Sequence, residues 1–313
     1  MVLRCKSVGY LSWSRFSWKK HLTYKKILRR NLRSNKVKGV YMKTQLIGID
    51  IDGTLVDDHN QVSTANKDAI KRAKQAGIKV VLCTGRPLKA ISHVLEACDL
   101  TDAGDYAITY NGGLIQATDT GEIIQHIVLS QDDVVSLYNL SKTLEMPISL
   151  VGMDDVKVLQ HHHDRPCLYY TINKWLSHHP FQFDDYTGQQ VVNKMVIARP
   201  EAEIEEALKK IPEHYFEQFF IVKSLPNLLE FMPKTVNKGA ALKRLGQQLG
   251  IVTEAMMGIG DMDNDLTMIE TVGKGVVMGQ APDYMKDVAD YITKSNNESG
   301  VAHAIEQWAL NML

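Results

Sequence analysis

The 313-residue chain lacks any apolar run approaching the ~20 residues that a membrane-spanning helix requires. It therefore reads as a protein with no membrane partner. Cysteine is scarce. Cys5, Cys83, Cys98 and Cys167 have neither paired nor metal-type spacing, which argues against a disulfide framework and suits reduced thiols in the cytosol. The chain holds no internal repeat and no low-complexity tract. His161-His162-His163 is too short to count and reads as a polar loop rather than a metal site. Carboxylates are missing from residues 1–42, which carry 12 Lys and Arg. The remainder holds 24 basic against 36 acidic residues, a formal net of −12. An acidic body argues against a nucleic-acid-binding enzyme. The overall balance, 44% hydrophobic and 23% charged, fits a soluble globular protein of one large or two moderate domains.

The acid-free leader has three readings: a transit-type segment, a basic arm, or a non-native extension from translation begun too far upstream. Met42-Lys43-Thr44 stands immediately before the first apolar run, as a true start would. The third reading is the expectation, and residues 1–41 are left out of the fold.

From Lys43 the pattern alternates strand and helix. Strands are expected at Leu46–Asp50, Lys79–Cys83 and Tyr106–Thr109, with helices at Thr64–Ala76 and after Pro87. This βαβαβ rhythm predicts an α/β fold with a doubly wound parallel sheet. The rhythm then changes to α+β: a hairpin over Leu114–Leu129, a helix at 131–145, strands at Ile148–Val151, Val191–Ala198 and Leu228–Phe231, and a helix after Pro200. After Pro233 it resumes, with a helix at Ala240–Leu249 and strands at Ala255–Gly260 and Gly275–Met278. The expected organisation is a core of 43–124 and 232–313, interrupted by an inserted α+β domain at 125–231.

Polar residues cluster where the apolar strands stop. Leu46-Ile47-Gly48-Ile49 runs into Asp50-Ile51-Asp52-Gly53-Thr54. Open α/β sheets bind ligands at that edge. Like charges this close repel unless a cation or proton lies between them. The pair suggests a Mg²⁺ site with one carboxylate free to attack phosphorus, against the plainer account of a solvated Asp- and Gly-rich turn. Thr84-Gly85-Arg86 follows the second strand, where a hydroxyl and free N–H groups could cradle phosphate, though Thr-Gly is also an ordinary turn. Asn237-Lys238-Gly239 precedes a helix, and the lysine could supply a point charge to phosphate, or simply be solvated. Asp261-Met262-Asp263-Asn264-Asp265 offers oxygen ligands for a hard cation, or an acidic N-cap loop. Together these segments converge on one sheet edge.

Asp50-Ile51-Asp52-Gly53-Thr54, Thr84-Gly85-Arg86, Lys238-Gly239 and Gly260-Asp261-x-x-Asn264-Asp265 resemble the motifs of the haloacid dehalogenase superfamily. The insertion between the second and third motifs resembles its type-2-capped, Cof-type phosphatase branch. Asn111-Gly112 and Gly275–Gly279 are also similar to this branch, and the likeness covers about 43–313. It implies a Rossmann-like core with a cap that closes over the site, and a phosphatase of small phosphorylated metabolites, sugar phosphates above all. Asp50 would be the nucleophile. Asp52 would serve as acid and then base. Ile51, Thr84, Gly85, Lys238 and Asn264 would hold the phosphoryl group. Mg²⁺ would be bound by Asp50, the Asp52 carbonyl and Asp261, with Asp265 a ligand or its support. Asp263 has no assigned role. Asp154, Asp155, Lys157 and Lys194 of the insertion could contact a sugar or lie on solvated surface. The alternatives are a phosphotransferase or mutase, and a regulator that binds a phosphorylated ligand without turnover. The sequence leaves the sugar and the oligomeric state open.

Overall fold

Hydrophobic runs that stop at glycine or a polar residue become the strands of two sheets. In the computed structural model, which describes residues 42–159 and 165–311, the larger sheet first takes β1 (Leu46–Ile49), β2 (Lys79–Cys83), β3 (Tyr106–Thr109), β4 (Leu114–Ala117) and β5 (Ile123–His126). The chain then crosses to a smaller sheet made of β6 (Ser149–Val151), β7 (Asp155–Leu159), β8 (Ser177–Phe181), β9 (Lys194–Ala198), β10 (Phe219–Leu225) and β11 (Leu228–Pro233). It returns to the larger sheet with β12 (Met256–Gly260), β13 (Lys274–Val277) and β14 (Tyr291–Ile292). The leader at 1–41 and His161-His162-His163 lie outside the described residues. Among the described residues, no helix is long and apolar enough to cross a membrane.

The larger sheet has eight strands in the order β14-β13-β12-β1-β2-β3-β4-β5. Pairing is parallel from β14 to β3 and antiparallel for β4 and β5. Its main helices are α1 (Thr64–Gln75) and α2 (Ser92–Ala97) on the outward run; α3 (Gln131–Thr143) and α4 (Glu201–Lys210) belong to the insertion. On the return come α5 (Lys238–Gln248), α6 (Leu266–Thr271) and α7 (Gly300–Ile305). Successive strand residues face opposite ways. Ile47, Ile49, Val80 and Leu82 therefore pack with Ile70 and Ala73 of α1. Leu46, Val81 and Cys83 pack with Leu242 and Leu245 of α5 on the other face. Both faces are covered, which is why these strands read as unbroken apolar runs. Each fully buried Leu or Ile contributes ~1.5–3 kcal/mol. The fold class is thus α/β, a doubly wound parallel-sheet core carrying an inserted α+β cap.

The smaller sheet has six strands in the order β10-β11-β9-β6-β7-β8. One face packs on α3 and α4 through Leu137, Leu140, Met195, Ile197, Ile204 and Phe231. Its outer strands differ most from the pattern reading. β7, β8 and β10 were not expected, and β8 contains Pro180 on a largely exposed strand. An edge strand tolerates the missing N–H. The turn after Pro87 also differs: a 3₁₀ turn at Leu88–Ala90 precedes α2.

Candidate active site

The register of three adjacent strands brings the polar ends level. Ile49 lies beside Ile259 of β12 and Leu82 of β2. The next residues out are Asp50, Gly260-Asp261 and Cys83-Thr84. Asp50 N–H still donates to Ile259 O at 3.0 Å, so its backbone is held by the sheet although the strand has ended. Thr84 N–H donates to Ile108 O at 2.8 Å in the same manner. Asn237 caps α5 by accepting from Ala240 N–H at 2.8 Å, which makes Lys238 the first helical residue and aims it at the strand ends.

Lys238 is fully buried and divides its ammonium between two carboxylates. It donates to Asp50 Oδ1 at 2.5 Å and Asp265 Oδ1 at 2.6 Å. Burial opposes this charge, but Asp265 and Asp50 outweigh it and hold the lysine above its usual pKa. Asp265 spends its other oxygen on the backbone N–H groups of Asp261 and Met262, at 3.0 and 3.1 Å. Both Asp265 oxygens are engaged, so its geometry suits support of the loop better than direct ligation. Asp261 Oδ1 accepts from Thr54 Oγ1 at 2.8 Å. Gly53 adopts φ +73°, and a Cβ there would meet Asp261 Oδ2 at 2.5 Å, so glycine lets this carboxylate sit close.

Carboxylate oxygens of Asp50, Asp261 and Asp265 lie within 4.8 Å of one another. Burial lifts the Asp50 pKa well above the usual carboxylate range, with Asp265 adding to it and Lys238 opposing. Burial and then Asp265 push Asp261 up to about 7, against the Thr54 hydroxyl. Two carboxyls of this cluster, Asp50 and Asp261, thus resist ionisation even with Lys238 close by, which fits a site for a hard divalent cation. The Asp52 side chain is not part of this cluster. It is 42% exposed and gripped by Arg86, whose Nε donates to Oδ2 at 2.9 Å and whose second nitrogen donates to Oδ1.

Asp50, Asp52, Thr84, Gly85, Lys194, Asp261 and Asn264 line one cavity of about 480 Å³. Ile51 is buried in the apolar core beside it, leaving only its backbone for a ligand. Asp263 is taken by the Tyr284 hydroxyl. Of the insertion residues expected near a sugar, only Lys194 reaches this cavity. Asp155 and Lys157 pair with each other at 2.6 Å on β7, and Asp154 lines a separate cavity of about 390 Å³. Local pattern did not single out Arg86, Asn111 or Glu230 as polar partners. Glu230 had one signal, a lone carboxylate in the apolar run of β11. Tyr110 and Asn111 take φ of +49° and +55°, a left-handed pair costing ~1–3 kcal/mol per residue that its surroundings must hold in place.

A parallel sheet with polar strand ends, roofed by a second sheet, defines a capped α/β enzyme. Residues 47–305 match the haloacid dehalogenase-like hydrolase family, and the chain belongs to it. YxeH of Bacillus subtilis is 38% identical over 267 residues, covering 85% of this chain and 98% of its own. YcsE of the same organism, a 5-amino-6-(5-phospho-D-ribitylamino)uracil phosphatase by name, is 32% identical over 267 residues, covering 85% and 96%. The solved structure of BT4131, a subclass IIB sugar phosphatase of this superfamily, is similar with a TM-score of 0.70 at 25% identity, over 84% of this chain and 98% of that one.

Proposed function

We propose that this hydrolase is a Mg²⁺-dependent phosphomonoesterase of the cytosol, acting on small phosphorylated metabolites and on sugar phosphates first among them. The observation that carries the reading is buried Lys238 clamped between Asp50 and Asp265, while Asp50 and Asp261 line the cavity. In its general run the chain also resembles the bacterial sugar phosphatase YidA, and the proposed substrate class follows that likeness.

Lys238 holds Oδ1 of Asp50 and so leaves Oδ2 for in-line attack on phosphorus. The product of that step is an aspartyl-phosphate, and the leaving alcohol takes a proton from Asp52. Asp52 then removes a proton from the water that hydrolyses the acyl phosphate. Its pairing with Arg86 opens for this, because an arriving phosphate gives the guanidinium a second anion to hold. Thr84, Gly85, the Ile51 backbone, Lys238 and Asn264 bind phosphoryl oxygens. Asp50, Asp261 and the Asp52 carbonyl would hold Mg²⁺, with Asp265 steadying the loop. When bound, the ion offsets charge on the phosphoryl oxygens. The cap sheet excludes bulk water and meets the leaving group.

The test is phosphate release from a panel of sugar phosphates by wild type and Asp50→Asn, with Mg²⁺ and with EDTA. Metal-dependent release by wild type, lost in the variant, is expected. Release by the variant at the wild-type rate would sink the covalent mechanism. Release without an added acceptor alcohol would rule against phosphotransfer.

A further inference from the structure

A second run of buried polar groups leads from the cap sheet to the strand-end loops. Alternation on β9 and β11 sends Met195, Ile197, Leu229 and Phe231 into the helix-covered cap core. Lys194 and Glu230 therefore stand on the opposite face, toward the larger sheet. Their side chains are only 3% and 1% exposed, and they pair with each other. Each also reaches across to the core. Lys194 Nζ donates to Gly85 O at 3.0 Å, while Glu230 Oε2 accepts from Asn111 Nδ2 at 2.9 Å. Asn111 Oδ1 in turn accepts from Asn264 Nδ2 at 3.2 Å, and Asn111 N–H donates to Thr84 O at 2.9 Å.

The polarity of this run has one origin. A carboxylate can only accept, so Glu230 obliges Asn111 to turn its amide nitrogen toward the cap. The Asn111 oxygen then faces Asn264 and fixes that amide with its nitrogen inward. Two carboxamides that could each lie either way round are thus set by one buried charge from the cap. Lys194 keeps that charge paired while pinning the Gly85 carbonyl. An ion pair this deep is not expected to stabilise the fold, which favours a role in specifying geometry.

We propose that Glu230 and Lys194 are positioning residues for the phosphoryl group, acting through Asn111, Asn264 and Gly85, so that cap closure orders the phosphate site as well as covering it. This rests on the phosphatase reading above. Glu230→Gln is the same size but lets the amides scramble. Adding Asn111→Asp restores a single polarity, since the new carboxylate accepts from both neighbours.

The experiment measures kcat/KM for p-nitrophenyl phosphate and for a sugar phosphate, the inhibition constant of inorganic phosphate, and thermal melting. For Glu230→Gln, kcat/KM should fall about tenfold or more for both substrates alike, and phosphate inhibition should weaken by a similar factor in protein still folded at the assay temperature. The double variant should recover most of both. Unchanged phosphate affinity, a loss confined to the sugar substrate, or no recovery in the double variant would overturn the inference alone. Wild type that neither releases phosphate nor is inhibited by it would bring down the functional reading, and this inference with it.

Discussion

Replacing Lys238 with methionine removes the cation that two buried carboxylates share, while nearly keeping the volume. The ammonium lies 2.5 Å from Asp50 and 2.6 Å from Asp265, with neither Lys238 nor Asp265 exposed at all. Removing one partner of a buried ion pair costs ~3–5 kcal/mol, because the other charge is left without compensation. At ~2–4 °C per kcal/mol for a domain of this order, the melting temperature should drop by about 6–20 °C. The loss should depend on pH. Burial and Asp265 already raise the Asp50 pKa well above its ordinary value with the lysine present, and deleting the lysine raises it further. A carboxyl whose folded pKa exceeds its unfolded one binds its proton more tightly when folded, so its ionisation costs stability as pH rises. The deficit of Lys238→Met should therefore be smaller at pH 5.5 than at pH 8. Thermal melting of both proteins in EDTA at the two pH values checks this. A drop under about 2 °C, or an equal drop at both pH values, would refute the account of Lys238 as the shared counter-charge.

Gly53→Ala should crowd Asp261 and raise the Mg²⁺ concentration for half-maximal phosphate release by about 10–100-fold; an unchanged metal requirement would count against close seating of that carboxylate. Asp261 has its pKa lifted from 3.8 to about 7, so its ionisation weakens the metal-free fold across that interval. In EDTA, the melting temperature of Asp261→Asn relative to wild type should accordingly rise from pH 4 to pH 8, and a gap that stays flat or closes would contradict it. Burial pushes the Cys83 and Cys98 thiols up to about 12. Mass spectrometry after iodoacetamide at pH 8 should find both unmodified in folded protein and both alkylated in urea.

How much of this could be read in advance depended on distance along the chain. Strands β1, β2, β3 and β12 announce themselves because both faces are buried, so the apolar run stops only where the sheet does. The polar residues after Ile49, Cys83 and Gly260 then had to share an edge, and the structure brings them into one cavity. The helix starts are fixed in the structure by side-chain caps at Ser63 and Asn237, a signal the pattern reading did not use. The cap was harder. β8 mixes histidines, proline and serine because it is an exposed edge, so neither period is visible in it. α7 and β14 are too short to carry a pattern. Arg86 on Asp52 and Glu230 on Asn111 pair across 34 and 119 residues, which no local window contains.

The in-register alignment of Gly48 with Gly258 and Ile49 with Ile259 sets a kind of permission for change. A strand advances ~3.3 Å per residue and alternates its faces. Adding or deleting one residue in β1 would carry Asp50 past its neighbours and turn it to the far side of the sheet. Substitutions within β1 can be repaired by repacking; a change of length cannot. Drift in length should accumulate in the crossing between the sheets and in the turns of the cap edge, while the strands behind the carboxylates keep their count.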